Sequence, residues 1–544
     1  MATLKHRSGR TRVWRVVTAL LLAAAAATSM VWAQAPRAGG TLVIGSLFDV
    51  PMLDPHRTTA ITVAGLSTLL YDALLSIDYD LKTVGPGLAR RWEVSADGLL
   101  YTFHLRDDVK FHSGRKFTAA DVKYSFERIL DPKTVSPHRF RLGDVAAIET
   151  PNDTTVVLRL KSQYADQLVQ LAHPFVAIVD REAVERHGAK FGSAGTGGTG
   201  PFTFQEWVLN DHMTFKRFRD YRWGPGFFQN RGPAHLEEIT VRIIPEYQTL
   251  LFETERGGVH TFKGLRNADV ARMRRARGIT VLEVSTAQQV HYLGFKVTRP
   301  LMSDVNVRKA ISAALDREQL AKAVTRGLAP AARGIFLPSV RDYWPGQEAL
   351  FPRFEPIRAR SLLDAAGWKP GADGIRVKDG AGLRPTLLGM LGTVEEHEEL
   401  HPLMQAQLKD VGVGVDVKLM AVPAFFAALA KQDYDMWTLA TPYVSVLELL
   451  NFWYWSKNVP SPNRTMWTDA RTDEQLLLAR ATQDADARAR ALGEIQKIAA
   501  DNHLLIPLWH EALRVPTRVE VKGFRPHGIY ATGYYKFLDV WLDR

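Results

Sequence analysis

Residues 85–132 read GPGLARRWEVSADGLLYTFHLRDDVKFHSGRKFTAADVKYSFERILDP and carry more information about the fold than any other segment of the chain. Asp97 and Gly98 predict a tight turn between two strands. Apolar residues then alternate with polar ones, which predicts one buried face: Tyr101, Phe103 and Leu105. Thr118 is placed to cap the next helix, with Asp121 as its capping-box partner. The local pattern therefore predicts a β-hairpin followed by a well-started helix.

Segments typical of strands and helices alternate along the rest of the chain, which predicts an α/β fold. Residues 41–45, TLVIG, read as a first buried strand. Residues 303–324 carry apolar side chains at helical spacing and predict one continuous helix. A single core would be unusually large for 544 residues, so we expect two or more lobes.

The first residues predict an export signal rather than part of the fold. Five cations and no acid precede the apolar run of residues 16–27, and small residues follow at Val31-Trp32-Ala33. This arrangement is typical of a secretory signal peptide, here residues 1–33. The alternative is an uncleaved membrane anchor, although the apolar run is short for a membrane span.

Composition limits the classes of partner and the means of attachment. The chain has no cysteine, so no disulfide and no lipid-modified cysteine is expected. Its formal charge of +11 falls to +6 when the five cations of the signal peptide are removed. The densest basic cluster, residues 272–277, is typical of a solvated helix face, and we expect no nucleic-acid partner.

The opening block resembles the signature region of family 5 solute-binding proteins, the oligopeptide and dipeptide receptors of bacterial ABC importers. Further segments match this family in the same order: Leu53-Asp54-Pro55-His56, residues 198–202 (GTGPF), residues 305–317 (VNVRKAISAALDR), Asp433-Tyr434-Asp435 and Ile506-Pro507-Leu508. Together these segments span about residues 45–515, nearly the whole exported chain.

The resemblance implies an α/β, two-lobed periplasmic binding protein fold of type II, with a ligand cleft between the lobes. Lobe I would comprise residues 37–285, with residues 511–544 returning to it. Lobe II would comprise residues 286–510. The two crossings between the lobes would form a hinge that closes on a bound ligand.

By the same resemblance, the protein is expected to be a periplasmic receptor and not an enzyme. It would capture a small or medium polar solute, whether peptide-like, a glycoside or opine-like. It would deliver that solute to the transmembrane subunits of an ABC permease powered by a separate ATPase. We expect a monomer with no cofactor and no bound metal.

The family places ligand contacts at two loops. The loop after the first strand is one candidate wall and contributes Asp49, Val50 and Met52, although Asp49 is equally suited to stabilising a turn. The other candidates lie near the first crossing and after the Tyr-Asp strand: Tyr292, Trp437, Ala440, Thr441 and Tyr443. The aromatic members of this set are suited either to stacking on a ligand or to packing in the core.

This chain departs from the peptide receptors in the second loop. Val444 stands near the position where those receptors carry an Asp that pairs with the peptide's ammonium group, and the next acid is Glu448. The loop at residues 388–393 has no Arg where dipeptide receptors place one for the carboxylate. A zwitterionic peptide would lose both partners, and burying unpaired charges is costly. We therefore do not expect a dipeptide ligand.

One motif supports a rival function. His397, Glu398 and His401 form H-E-x-x-H, which on a helix would hold zinc beside a general base. The alternative function is thus a secreted zinc-dependent hydrolase. Pro402 follows at once and cannot donate the hydrogen bond of a mid-helix residue, so the motif would sit at the start of a helix. Gln407 stands where a third histidine would follow in the extended motif.

Overall fold

In this computed structural model, which describes residues 35–284, 289–392, 396–510, 512–529 and 532–543, the strands form two large sheets and several small ones. In chain order the strands are β1 (Thr41–Ser46), β2 (Leu75–Ile77), β3 (Val84–Pro86), β4 (Ala89–Val94), β5 (Leu100–Leu105), β6 (Val145–Asn152), β7 (Thr155–Leu160), β8 (Phe202–Val208), β9 (His212–Arg217), β10 (Glu238–Ile243), β11 (Thr261–Phe262), β12 (Ile279–Val284), β13 (Gln289–Phe295), β14 (Lys369–Pro370), β15 (Arg376–Lys378), β16 (Ala381–Gly382), β17 (Thr386–Met390), β18 (Asp416–Met420), β19 (Met436–Pro442), β20 (Leu505–His510), β21 (Leu513–Arg518), β22 (Val521–Lys522) and β23 (Trp541–Leu542).

Helices lie between some of these strands, as expected for an α/β chain, whereas other strands follow one another directly. They are α1 (Ile61–Leu70), α2 (Ala119–Leu130), α3 (Gln167–Gln170), α4 (Arg181–His187), α5 (Tyr247–Arg256), α6 (Asn267–Arg275), α7 (Pro300–Ser303), α8 (Val305–Ala314), α9 (Arg317–Val324), α10 (Pro356–Ala365), α11 (His397–Lys409), α12 (Val422–Lys431), α13 (Val446–Tyr454), α14 (Ala470–Ala481) and α15 (Ala485–Asp501). Short 3₁₀ turns lie at Pro132–Thr134, Arg139–Leu142, Pro174–Val176, Gly188–Lys190, Pro345–Ala349 and Ser456–Asn458.

Each of the two large sheets mixes parallel and antiparallel pairs. The first has the order β12-β21-β11-β1-β10-β9-β8, with β1 parallel to both of its neighbours. The second has the order β18-β17-β19-β13-β20, with β17 parallel to both of its neighbours and β13 antiparallel to both of its own. The chain leaves the first sheet after β12 and returns to it at β21, so it passes between the sheets twice.

The hairpin predicted from the opening block is confirmed. β4 and β5 pair antiparallel, with Trp92 opposite Phe103, inside a four-stranded sheet of order β4-β5-β7-β6. The turn includes Gly98, whose φ of 65° favours glycine. The predicted helix start is confirmed as well, because the Thr118 backbone N–H donates to Asp121 Oδ2 at 2.8 Å.

The single helix predicted for residues 303–324 is wrong. The structure has α8 and α9 there, separated at Leu315 and Asp316. The Asp316 side chain accepts a hydrogen bond from the Gln319 backbone N–H at 3.0 Å, so it starts a new helix instead of continuing the old one. Asp is a strong N-cap residue and competes with the helical backbone, which explains the break.

Residues 38–544 form one compact unit with an extended apolar core. The largest cluster of buried side chains joins both large sheets, for example Leu42 of β1 and Leu439 of β19. A second cluster packs α8 and α9 against the second sheet, and a third packs α5 and α6 against the first. In the part of the chain that the structure describes, no helix is both long and apolar enough to cross a membrane. The predicted signal peptide lies outside the described residues.

Candidate functional site

A large cavity opens where β1 and β19 end. Its volume is about 1030 Å³. Its first wall, formed by lining residues from 44–264 and 532–534, includes Phe48 and Val50 in the loop after β1. Its second wall, formed by lining residues from 390–464, includes Ala440 and Thr441 near the end of β19. Ligands of α/β proteins bind outside the carboxyl ends of strands, so this cavity is the candidate site.

Close packing of β1 positions the loop of the first wall. A Cβ at Gly45 would lie 2.3 Å from Leu250 Cδ1 of α5, so any larger residue would force the Leu250 side chain to move. Leu42 and Ile44 are fully buried on the strand. β1 is therefore fixed in the core, and it delivers the loop that follows it to the edge of the cavity.

Helix α13 carries part of the second wall. Its N-cap, Ser445, accepts a hydrogen bond from the Glu448 backbone N–H at 3.0 Å. Glu448 and Phe452 are four residues apart, so they share the face of the helix that lines the cavity. The cap thus sets both the start of the helix and the side chains that it presents.

Most of the remaining lining is apolar. Its aromatic members come from both walls: Phe48, Phe140, Phe426, Phe452, Trp455 and Tyr534. Ligand pockets typically combine such apolar surface with a few placed polar groups. The lining therefore suits an organic solute with a sizeable apolar portion.

A buried ion pair joins the two walls. Arg141 Nη1 lies 2.7 Å from Glu448 Oε1, and the two side chains are only 3% and 7% exposed. Glu448 also accepts a hydrogen bond from the Val444 backbone N–H at 2.7 Å. The charge of Glu448 is thus balanced within the protein.

A second buried contact lies beside this pair. The Ser445 hydroxyl donates to the carboxylate of Asp166, 279 residues away in the chain. Burial raises the pKa of Asp166 to about 6, against the lowering effects of Arg341 and of the Ser445 hydrogen bond. The two contacts together tie α13 to the segments that carry Arg141 and Asp166.

Two other arginines line the same cavity, and neither pairs with a carboxylate that the structure describes. Arg139 is exposed and belongs to the first wall, and Arg464 is half-buried and belongs to the second. Among the residues that the structure describes, no carboxylate lies within ion-pairing distance of either guanidinium group. With Arg141 and Lys263, the described lining holds four cations.

The structure places three of the predicted ligand residues on the lining: Val50, Ala440 and Thr441. Tyr292 lies behind the second wall, where its hydroxyl is 3.2 Å from Thr441 Oγ1. Met52 is half-buried outside the lining. Asp49 takes a structural role, since its Oδ2 accepts hydrogen bonds from Trp207 Nε1 at 3.1 Å and from the Asn210 backbone N–H at 2.8 Å.

Trp437 and Tyr443 do not line the cavity. Both are completely buried, and the Tyr443 hydroxyl accepts a hydrogen bond from the Leu337 backbone N–H at 3.4 Å. Trp437 packs edge-to-face against Tyr292 and Tyr434. They support the second wall from behind.

The cationic and aromatic part of the lining at residues 137–141 was not predicted from the sequence. This segment reads PHRFR, and its last three residues belong to the 3₁₀ turn Arg139–Leu142. Its alternating basic and aromatic residues are the one signal in the sequence that marks it. No strand end predicts its position, because it reaches the cavity through tertiary contacts.

The side chains of the H-E-x-x-H motif form hydrogen bonds within the protein. His397 Nδ1 accepts a hydrogen bond from the Met390 backbone N–H at 2.9 Å, and His401 Nε2 lies 2.6 Å from Thr438 Oγ1. Glu398 Oε1 accepts from the Gly392 backbone N–H at 3.2 Å. Among the described residues, no group of three potential metal ligands comes together. The arrangement gives no support to the zinc hydrolase.

Comparisons with known proteins agree with this geometry. The chain matches the model of the bacterial extracellular solute-binding proteins, family 5, over residues 83–504. It is 26% identical to the glutathione-binding protein GsiB of Escherichia coli, over 99% of this chain and 98% of that protein. The alternative hydrolase is not supported by these relatives.

Solved structures show the same fold. The oligopeptide-binding protein AppA of Bacillus subtilis, solved with a nonapeptide, has a TM-score of 0.82 at 21% identity and covers 94% of this chain and 100% of that chain. The periplasmic binding protein AgaA of A. tumefaciens, solved with agropinic acid, has a TM-score of 0.80 at 25% identity and covers 93% and 99%. The type II periplasmic binding protein fold predicted from the sequence is confirmed, and the chain belongs to the bacterial extracellular solute-binding proteins of family 5.

Proposed function

We propose that this family 5 receptor of an ABC importer captures one medium-sized organic solute in the cavity between β1 and β19. The volume of about 1030 Å³ lies at the upper end of the range for small-molecule sites, about 300–1,000 Å³. The single observation that supports the proposal is that one wall of this cavity includes β1 of the first large sheet and the other wall includes β19 of the second.

Each of the two proposed lobes contains one of the large sheets. Lobe I is residues 37–285 with 511–544, and lobe II is residues 286–510. Two crossings between the sheets, after β12 and after β20, are the arrangement from which a hinge is made. The buried pairs Arg141–Glu448 and Ser445–Asp166 are formed when the lobes are closed and are broken when they open.

The closed receptor then presents its solute to the transmembrane subunits of a permease, which a separate ATPase powers. We propose that it does so as a periplasmic monomer, after removal of residues 1–33. The relatives' ligands differ: glutathione in the name of GsiB, a nonapeptide with AppA and agropinic acid with AgaA. The solute of this chain therefore depends on its own lining.

Mass spectrometry of the compounds released by denaturing the purified protein tests the proposal. We expect one organic solute in stoichiometric amount, and we expect it to raise the melting temperature of refolded, solute-stripped protein in a concentration-dependent way. If the protein were instead a zinc-dependent hydrolase, it would turn the compound over. Turnover by the purified protein, or the absence of any compound that stabilises it, would contradict the receptor.

A further inference from the structure

We propose that the solute is an organic anion with an apolar body, whose acid group is held by Arg139 and Arg464. This inference rests on the proposed function, since it names the class of solute that the same cavity takes. Three observations support it: the balance of charge on the lining, the partners that engage Glu448, and two lining arginines that have no carboxylate partner among the described residues.

The balance of charge on the lining is positive. Four cations line the cavity, Arg139, Arg141, Lys263 and Arg464, against one carboxylate among the described lining residues, that of Glu448. These five charges leave a formal balance of +3. Apolar walls strengthen electrostatic interactions inside a cavity and concentrate ligands of the opposite charge. The lining thus attracts an anion.

The one lining carboxylate is not available to a cationic solute. Glu448 Oε1 is engaged by Arg141 at 2.7 Å, and Glu448 Oε2 accepts from the Val444 backbone N–H at 2.7 Å. An ammonium group entering the cavity would lose its water and meet no described carboxylate that lacks a partner. Burying an unpaired charge is strongly unfavourable. Amines and peptides with a free amino terminus are therefore disfavoured.

The two unpaired arginines suit an acid group. A guanidinium group presents a planar fork of donors that matches a carboxylate or phosphate. Arg139 lines the first wall and Arg464 the second, so each wall offers a guanidinium group to an acid group in the cavity.

The second wall supplies apolar surface for the rest of the solute. Phe452 and Trp455 line the cavity on this wall and suit an apolar body. An N-acylated amino acid or amino-blocked peptide combines an acid group with an apolar body and lacks a free ammonium group.

Three matched probes test the assignment on the solute-stripped exported protein: N-acetyl-leucyl-phenylalanine, its carboxyl-terminal amide, and unblocked leucyl-phenylalanine. Titration calorimetry measures each affinity. We expect the N-acetyl acid to bind about tenfold or more tightly than either other probe, since a charge-assisted hydrogen bond contributes about that much. Equal or tighter binding of the amide or of the zwitterion would overturn the inference, and so would the failure of all three to bind.

Two variants and a control separate the cations from general effects of charge. Arg139→Gln and Arg464→Gln should each weaken the N-acetyl acid about tenfold and leave the affinity for the amide unchanged. Arg490→Gln removes an exposed cation of α15 outside the lining and should change neither affinity. Melting of each unliganded variant at the wild-type temperature shows that it is folded. Unchanged affinity for the acid in both variants would overturn the inference.

The solute recovered by mass spectrometry distinguishes this inference from the proposed function. An anionic solute with an apolar body would support both. A cationic or zwitterionic solute that stabilises the protein would overturn the inference and leave the receptor in place. A protein that neither retains nor is stabilised by any compound would contradict both.

Discussion

Arg141 and the pair Arg139 and Arg464 line one cavity, but their surroundings differ. Arg141 is buried against Glu448, which lies on the opposite wall, whereas no described carboxylate pairs with the other two. A buried charge needs a partner to compensate for the loss of its water. Arg141 therefore depends on contact between the two walls, because its partner Glu448 lies on the opposite wall. Arg139 and Arg464 have no described carboxylate partner, so water solvates their guanidinium groups and a ligand can replace that water. The comparison separates groups that hold the walls together from groups that hold the solute.

The largest expected effect comes from breaking the buried pair. In the closed, solute-loaded protein, Glu448→Ala leaves the Arg141 guanidinium buried without its carboxylate, and we expect the free energy of unfolding to fall by about 3–5 kcal/mol. Arg139→Ala is the matched control on the open side, and without solute it should change the free energy of unfolding by no more than about 0.5 kcal/mol. Denaturant unfolding measures both. Similar values for the two variants would remove the distinction.

A pH-dependent effect of intermediate size should come from Asp166. Burial raises the pKa of this carboxyl from its ordinary 3.8 to about 6 in the folded protein. The folded protein therefore holds a proton that the unfolded chain has lost between about pH 3.8 and pH 6, and the stability present at lower pH is lost as the pH rises through that window.

Asp166→Asn removes this buried charge. We expect the variant to be about 1–3 kcal/mol more stable than the wild type at pH 8, with the difference disappearing towards pH 4. Asp144→Asn, at an exposed carboxylate, should show no such trend. Thermal unfolding across this range of pH decides the matter. A difference that is constant with pH would show that Asp166 is not a desolvated carboxyl.

Two aromatic side chains of the second wall differ in the same way as the arginines, because only one of them lines the cavity. Trp455 lines the cavity, whereas Tyr443 supports the wall from behind. Trp455→Ala should weaken binding of the recovered solute about tenfold, because it removes contact area. Tyr443→Phe should leave the affinity within about twofold, since a buried hydroxyl bonded to the backbone does not reach the solute. The reverse order of effects would place Tyr443 in the site, as the sequence predicted.

The smallest expected effect concerns the histidine motif. Because His397 Nδ1 and His401 Nε2 are engaged with protein groups, added zinc should not raise the melting temperature. Metal analysis after dialysis against zinc should find well under one ion per chain. A stoichiometric ion lost in His397→Ala would revive the hydrolase.

Much of the fold could be predicted because its signals are local. The turn at Gly98 and the cap formed by Thr118 and Asp121 each depend on residues within a few positions, and the structure confirms them. The break before α9 was missed although its signal is also local. The apolar spacing through Leu315 outweighed the tendency of Asp316 to start a helix.

The site could be predicted only in part. Strand ends pointed to Val50, Ala440 and Thr441, which line the cavity. Strand ends do not predict which charged side chains form ion pairs. Arg141 and Glu448 are 307 residues apart, and only the fold brings them together. Arg139 and Arg141 look equivalent in the sequence, and tertiary contacts alone separate them.

Small-angle scattering of the solute-stripped and solute-loaded protein tests whether the two lobes close on the solute. If the two lobes close around the solute in this cavity, its addition should lower the radius of gyration. The Glu448→Ala variant should need more solute to reach the same compact form, because one tie between the walls is lost. A radius of gyration that stays constant while calorimetry shows saturation would contradict closure.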